Sequence, residues 1–126
     1  MELQKKIGIS MDRWEAIRNK QRQFVKERDW ERFHSPKNLS MALAAEAAEL
    51  MEIFMWMEKE QIEKLAEKFP EKFEHSKQEI ADVFLYCLRI ADVLNIDLLA
   101  AVEEKMVLNE KKHSIEKALE LNKSLM

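Results

Sequence analysis

The sequence predicts an all-α, four-helix-bundle-like protein. Two observations carry this. Its 126 residues include one Gly and two Pro, so the turn chemistry that hairpins and sheets need is nearly absent. The long segments between these breakers are rich in Leu, Ala, Met, Glu and Lys and repeat their apolar residues at helical spacing. With 47% hydrophobic residues the chain can fill one modest core. A single domain over 1–126 is expected, its core between about residues 10 and 112.

Residues 1–9 read as a loose arm, and Ser10 is placed to cap a first helix running to about Trp30. Its apolar stripe is Trp14, Ile17, Phe24 and Val25, with Gln21 and Arg28 on the same side. A Gln inside such a stripe either hydrogen-bonds a neighbouring helix or meets a ligand. Residues 31–37, ERFHSPK, form a connection with a turn signal at Ser35-Pro36; by composition alone His34 there is a surface histidine.

The second helix spans Asn38 to Met57, NLSMALAAEAAELMEIFMWM, with Asn38 as its N-cap. At about 100° per residue, Leu39, Leu43, Glu46, Leu50, Ile53 and Met57 share one face. Glu46 falls mid-stripe, and Glu49 lies at its edge on the side of Trp56. The opposite face, Met41, Ala44, Ala48, Met51 and Met55, is apolar as well. Both faces are therefore expected to be covered, in a core or between subunits.

Glu58 to Phe73 reads as a solvated connection with room for one amphipathic turn or helix around Ile62, Leu65, Ala66 and Phe69. A third helix runs from about Ser76 to Asn95. Glu79 shares a face there with Val83, Tyr86, Ile90 and Val93; Asp82 sits at the edge of that stripe with Arg89, and Phe84, Leu88 and Ala91 lie on the other side. Asp97 caps a fourth helix, Leu98 to Lys112, which carries Leu98, Val102, Lys105, Asn109 and Lys112 in one line. Ser114 to Met126 is a short helix or a tail.

Charge and composition narrow the function. A formal net charge of -3 gives no basis for general nucleic-acid binding. The lone cysteine, Cys87, excludes an internal disulfide and suits a reducing compartment. No apolar run is long and charge-free enough to span a membrane, and the N-terminus lacks a signal-peptide core. A cytoplasmic protein with neither nucleic acid nor membrane as partner is the expectation.

The chemistry lies in two carboxylate pairs. Residues three apart on a helix are neighbours on one face, so Glu46 and Glu49, and Glu79 and Asp82, each present two carboxylates side by side. Two such helices packed together would bring four acids to one place, where they repel unless a cation intervenes. All-oxygen ligands suit Mg²⁺ or Mn²⁺ rather than Zn²⁺. With Lys105, Asn109 and Lys112 nearby, a helical Mg²⁺ cage suggests a polyphosphate substrate. Alternatives remain at this level: solvated acidic pairs, or a helical interaction module that dimerises through Met-rich faces. A di-iron bundle needs Glu-x-x-His on two helices, and only Glu110 to His113 fits.

Four segments carry a resemblance to a known family. They are ERDWERFHSPKNL (27–39), AAEAAELMEIFMW (44–56), EIADVFLYCLRIAD (79–92) and EKMVLNEKK (104–112). Together they resemble the MazG-like all-α nucleoside triphosphate pyrophosphatases, and within them the dCTP pyrophosphatase branch. The resemblance spans roughly residues 14 to 112 and implies the MazG fold. It implies cleavage of a nucleoside triphosphate, dCTP or a modified dCTP, to monophosphate and pyrophosphate; dUTP or another non-canonical nucleotide is the alternative substrate. It implies Mg²⁺ held by Glu46, Glu49, Glu79 and Asp82, with Glu46 or Glu49 orienting the water or taking its proton. It also implies a base pocket with Trp30 and Trp56 flanking the base and His34 nearby, and Tyr86, Lys105, Asn109 and Lys112 toward sugar and phosphates. Read without it, both tryptophans are core packing. Homodimers or homotetramers, with each site built from two subunits, are implied too. The sequence departs from the branch where vertebrate members carry His nine residues before the Trp: here stands Gln21, whose amide both donates and accepts. It departs again at His113, where Tyr is usual.

Overall fold

Two compact units divide the chain, Met1–Leu94 and Asn95–Met126. The structure, a computed structural model, describes residues 11–126, so the expected arm and the Ser10 cap lie outside the described residues. In the first unit α1 spans Met11–Glu27, a single 3₁₀ turn Glu31–Phe33, α2 Pro36–Phe54, α3 Lys59–Glu63, α4 Leu65–Lys68 and α5 Pro70–Val93. The second unit holds α6, Leu98–Lys112, and α7, Ile115–Leu125. Among the described residues there is no strand, and no helix is long and apolar enough to cross a membrane. The all-α expectation holds.

α1 stops at Glu27, three residues before the expected Trp30. The Asp29 N–H donates to Lys26 O and the Trp30 N–H to Val25 O, both at 3.1 Å, while Asp29 takes the left-handed φ of 54°. This is the Schellman closure of a helix, with Asp in the place where Gly is usual. It turns the chain sharply and aims Trp30 back along α1.

Ser35, not Asn38, caps α2. Its Oγ accepts from the Asn38 N–H at 3.1 Å, and Pro36 occupies the first turn, where a missing N–H costs nothing. Asn38 instead sends its side-chain amide to Phe33 O at 2.9 Å, tying the helix start to the 3₁₀ turn. The segment expected to be one solvated connection holds α3, α4 and the first turn of α5, which begins at Pro70 rather than Ser76. The Glu58 N–H donates to Gln61 Oε1 at 2.8 Å and so closes the start of α3.

The core of this unit is the seam between α2 and α5. Leu39 and Ile53 from α2 and Leu88 and Ala91 from α5 are buried in it, Leu39 and Leu88 at 2% exposure. The expected stripe of α2 is thus the packed one. On its opposite face Met41, Met51 and Met55 are exposed. α1 lies against α5 through the buried Val25, an edge-to-face contact of Trp14 with Phe84 at 5.8 Å, and two polar ties. The Gln21 amide donates to Leu85 O at 2.9 Å, and the Arg22 guanidinium grips Asp92, with Nε at 2.7 Å and a terminal nitrogen on the second oxygen.

In the second unit Asp97 Oδ1 accepts from the Ala100 N–H at 3.1 Å, the expected cap of α6, just after Asn95 turns with φ 56°. Lys105, Asn109 and Lys112 are exposed on α6. Ser114 caps α7, so the C-terminal stretch is a helix.

The left-handed Asp29 yields a stability prediction. Asp29→Gly should raise unfolding free energy by roughly 0.5–1 kcal/mol in urea titration, because only Gly takes this φ without a Cβ clash. A loss of stability would mean that the Asp29–Arg32 ion pair, at 3.2 Å, outweighs the backbone relief.

Candidate functional site

Each helix of the central seam carries a carboxylate inside its buried stripe, and the packing brings the two together. Glu79 is buried and Glu46 half-buried. One ligand oxygen from each of Glu46, Glu79 and Asp82 lies within 4.8 Å of the other two. One oxygen of Glu46 and one of Glu79 are buried without a hydrogen-bond partner. The Glu46 carboxyl is pushed above the usual carboxylate range, chiefly by hydrogen bonding to Glu79, then by burial and the charges of Glu79 and Asp82; Glu49 offsets part of this. Orphaned buried oxygens on two of three clustered acids are the signature of a group that a hard cation would complete. The donor set is all oxygen and fits Mg²⁺ or Mn²⁺.

Glu49 stands outside this tight set. It is exposed and lines a shallow cleft with Glu52, Ile53, Lys72 and His75. The His75 Nε2 lies 3.4 Å from Glu79 Oε1. The sequence reading passed over His75, although its four-residue spacing from Glu79 was there to be read.

A second cleft, of about 400 Å³, adjoins the carboxylates. Ile17, Phe24 and Val25 of α1, Leu39 of α2 and Leu85 of α5 give it apolar walls. Trp30 stands at its side, its ring edge-to-face with Phe24 at 5.7 Å. The polar lining is Lys20, Gln21, His34, Asp82, Tyr86 and Arg89. Asp82 thus belongs both to the acidic cluster and to the cleft. The Tyr86 phenol is raised above its ordinary pKa, first by burial and then by the charges of Glu46 and Asp82, so it stays a neutral hydrogen-bond donor beside them.

His34 is no free surface residue. Its Nδ1 accepts from Arg89 Nε at 2.9 Å, and its pKa is lowered, first by burial and then by the Arg89 charge. Asp92 is held below the usual carboxylate range, first by its hydrogen bonds from Arg22, against the effect of burial, and then by the charges of Arg22, Arg89 and Arg18.

The structure therefore gathers Glu46, Glu79 and Asp82 into one cluster and Gln21, Trp30, His34 and Tyr86 around one cleft. Gln21 hydrogen-bonds α5, the first of the two readings open to it, and it also lines the cleft. Trp56 is 85% exposed and does not line this cleft. Lys105, Asn109 and Lys112 lie on α6, in the second unit. Arg89 and Lys20 are lining residues that the sequence did not single out; Arg89 shares the edge of the α5 stripe with Asp82, which was the available signal.

Residues 41–125 match the MazG-like family. The chain is 38% identical over 102 residues to dCTP pyrophosphatase 1 of Mus musculus, covering 80% of this chain and 59% of the relative. Against the Homo sapiens protein of the same name it is 37% identical over 100 residues, covering 79% and 58%. It thus spans less than two thirds of the curated relatives it matches. Among solved structures, a pyrophosphatase from Archaeoglobus fulgidus superposes with a TM-score of 0.71 at 38% identity, over 81% of this chain and 93% of the other.

The raised Glu46 sets a pH dependence. Its carboxyl binds a proton more tightly folded than unfolded, so its stabilising effect is complete below the unfolded carboxylate pKa and is lost as pH rises through the folded value. In EDTA, parent stability should fall as pH rises above the ordinary carboxylate range, and Glu46→Gln should flatten that fall. Thermal melts check this; a parent curve rising over the same range would mean that the carboxyl is not held protonated.

Proposed function

Because the chain belongs to the MazG-like family, we propose that it hydrolyses a nucleoside triphosphate, dCTP or a base-modified dCTP, to the monophosphate and pyrophosphate. The observation that carries the reading is the cleft that passes from Trp30 to the carboxylates through Asp82 and Tyr86. An aromatic side with polar edges suits a base, and orphaned acidic oxygens at the other end suit a cation with phosphates.

A bound Mg²⁺, with Mn²⁺ as the substitute, would neutralise phosphate charge and polarise phosphoryl oxygens. Glu46, Glu79 and Asp82 would hold it, with Glu49 alongside. Glu46 or Glu49 orients the attacking water or takes its proton. The water oxygen joins one phosphorus of the α–β anhydride, and the bridging oxygen leaves with the other. Trp30 stacks on the base, a tolerant contact, so selectivity falls to Gln21 and His34. Tyr86 offers its phenolic O–H toward sugar or phosphate. Lys105, Asn109 and Lys112 are assigned to the phosphates on the sequence resemblance alone.

A homodimer or homotetramer belongs to the same proposal. The exposed Met41, Met51, Met55 and Trp56 support it, since a second copy would cover them and bring Trp56 into a site. The chain would act as one catalytic domain in the cytoplasm.

The test is a panel assay of the purified protein against each standard dNTP and NTP and 5-methyl-dCTP, with Mg²⁺ or EDTA, following both products. Metal-dependent turnover of dCTP and its analogue is expected, abolished in Glu46→Gln and Asp82→Asn proteins that still melt cooperatively. Turnover of another nucleotide alone would overturn the substrate. No turnover in a folded sample that also fails to bind Mg²⁺ would end the enzyme reading. Trp30→Ala should raise KM about tenfold, given about 1–3 kcal/mol for a stacked base, and change kcat less. An unchanged KM would leave Trp30 with a packing role only.

A further inference from the structure

Four side chains from three segments form a hydrogen-bonded series that ends in the cleft. Arg22 of α1 grips Asp92 of α5, with Nε at 2.7 Å. Asp92 accepts a longer contact from Arg89 Nη1 at 3.4 Å, and Arg89 Nε donates to His34 Nδ1 at 2.9 Å. Arg89 and Asp92 keep only 11% and 12% of their side-chain surface, so this is not a loose surface pair. A guanidinium can only donate. The nitrogen facing it must offer a lone pair, which places the proton of neutral His34 on Nε2. Nδ1 is then satisfied within the protein, and Nε2–H is the group that His34 keeps for a ligand.

We infer that Arg89 is a positioning residue: it fixes His34 as the neutral Nε2–H tautomer and so gives the cleft a hydrogen-bond donor of set polarity, while Asp92, clamped by Arg22, holds Arg89 in place. The electrostatics agree. An imidazolium would set a second cation against Arg89 in a half-buried place, and both burial and that charge lower the His34 pKa. The Trp30 ring, 6.4 Å from His34, brings no charge to the contact. A donor of fixed polarity suits the carbonyl or unprotonated ring nitrogen of a pyrimidine; that use rests on the nucleotide reading above, whereas the tautomer does not.

The experiment is long-range ¹H–¹⁵N NMR of the imidazole rings in the full chain at neutral pH. The chain has three histidines, and the His34 signals are assigned by their loss in His34→Gln. The parent should show protonated Nε2 and unprotonated Nδ1 at His34. Arg89→Met keeps the apolar stem and removes the donor; it should give mixed tautomers and a dCTP KM several-fold higher, with kcat changed less. Arg89→Lys, which keeps the charge but not the Nε donor, serves if Arg89→Met does not fold, with the same expected loss of the single tautomer. In a His34→Gln background Arg89→Met should raise KM no further. A parent His34 protonated on Nδ1, a tautomer unchanged in the folded Arg89 variant, or a further several-fold rise of KM in the double variant would overturn the inference. If no nucleotide is turned over, the KM arm falls with the nucleotide reading and the NMR arm still decides.

Discussion

Like charge buried in a helix–helix seam is the constraint on which the rest of this molecule depends. Glu46 and Glu79 meet where α2 and α5 pack, and the basic group beside them among the described residues is His75, whose Nε2 lies 3.4 Å from Glu79. The seam closes because apolar burial around it is larger. A buried Leu such as Leu39 or Leu88 contributes about 1.5–3 kcal/mol, whereas an unpaired buried oxygen costs about 1–3. The fold therefore gives up part of its packing energy to keep acids in place, and a cation would return it. Sites that bind through strained charge are commonly built in this way.

One face of α5 carries the whole arrangement. Glu79, Asp82, Tyr86 and Arg89 follow one another at spacings of three, four and three residues, which keeps them in line along a helix. Their order is chemical as well as spatial: acid, acid shared with the cleft, neutral phenol, guanidinium. A substrate lying along this line would meet metal-binding groups at one end and donors at the other. α2 completes the acidic end with Glu46, and α1 with the 3₁₀ turn completes the other with Gln21, Trp30 and His34.

Periodicity made the seam legible. The stripe from Leu39 to Ile53 and the place of Glu46 within it follow from helical spacing, and the packed structure has them there. What periodicity cannot tell is whether an apolar face meets its own chain or a second copy: the Met41 face, expected to be covered in a core or between subunits, is exposed on the single chain. Local signals misled where two residues compete for one role. Ser35 takes the cap from Asn38 because Pro36 begins the helix two residues sooner. Asp29 hid the end of α1, since a left-handed Asp leaves no mark that a Gly would. The hydrogen bond of His34 lay beyond the local sequence because its partner, Arg89, is 55 residues away in the chain. The family motifs supplied Trp30 and Tyr86, which composition alone would have assigned to packing, and His34, which it would have left on the surface.

α1 is a wall of the cleft, yet it touches α5 at few places: Trp14, Gln21, Arg22 and Val25. Helices held by few buried contacts open at lower free energy than the seam they lean on. The amides of α1 should therefore exchange with solvent faster than those of α2 and α5, as a separate cooperative unit. A ligand in the cleft would bridge that unit to the rest, so its affinity contains the work of seating a helix. Mutations on the far side of α1 could then weaken binding without touching the ligand, simply by making the wall harder to close.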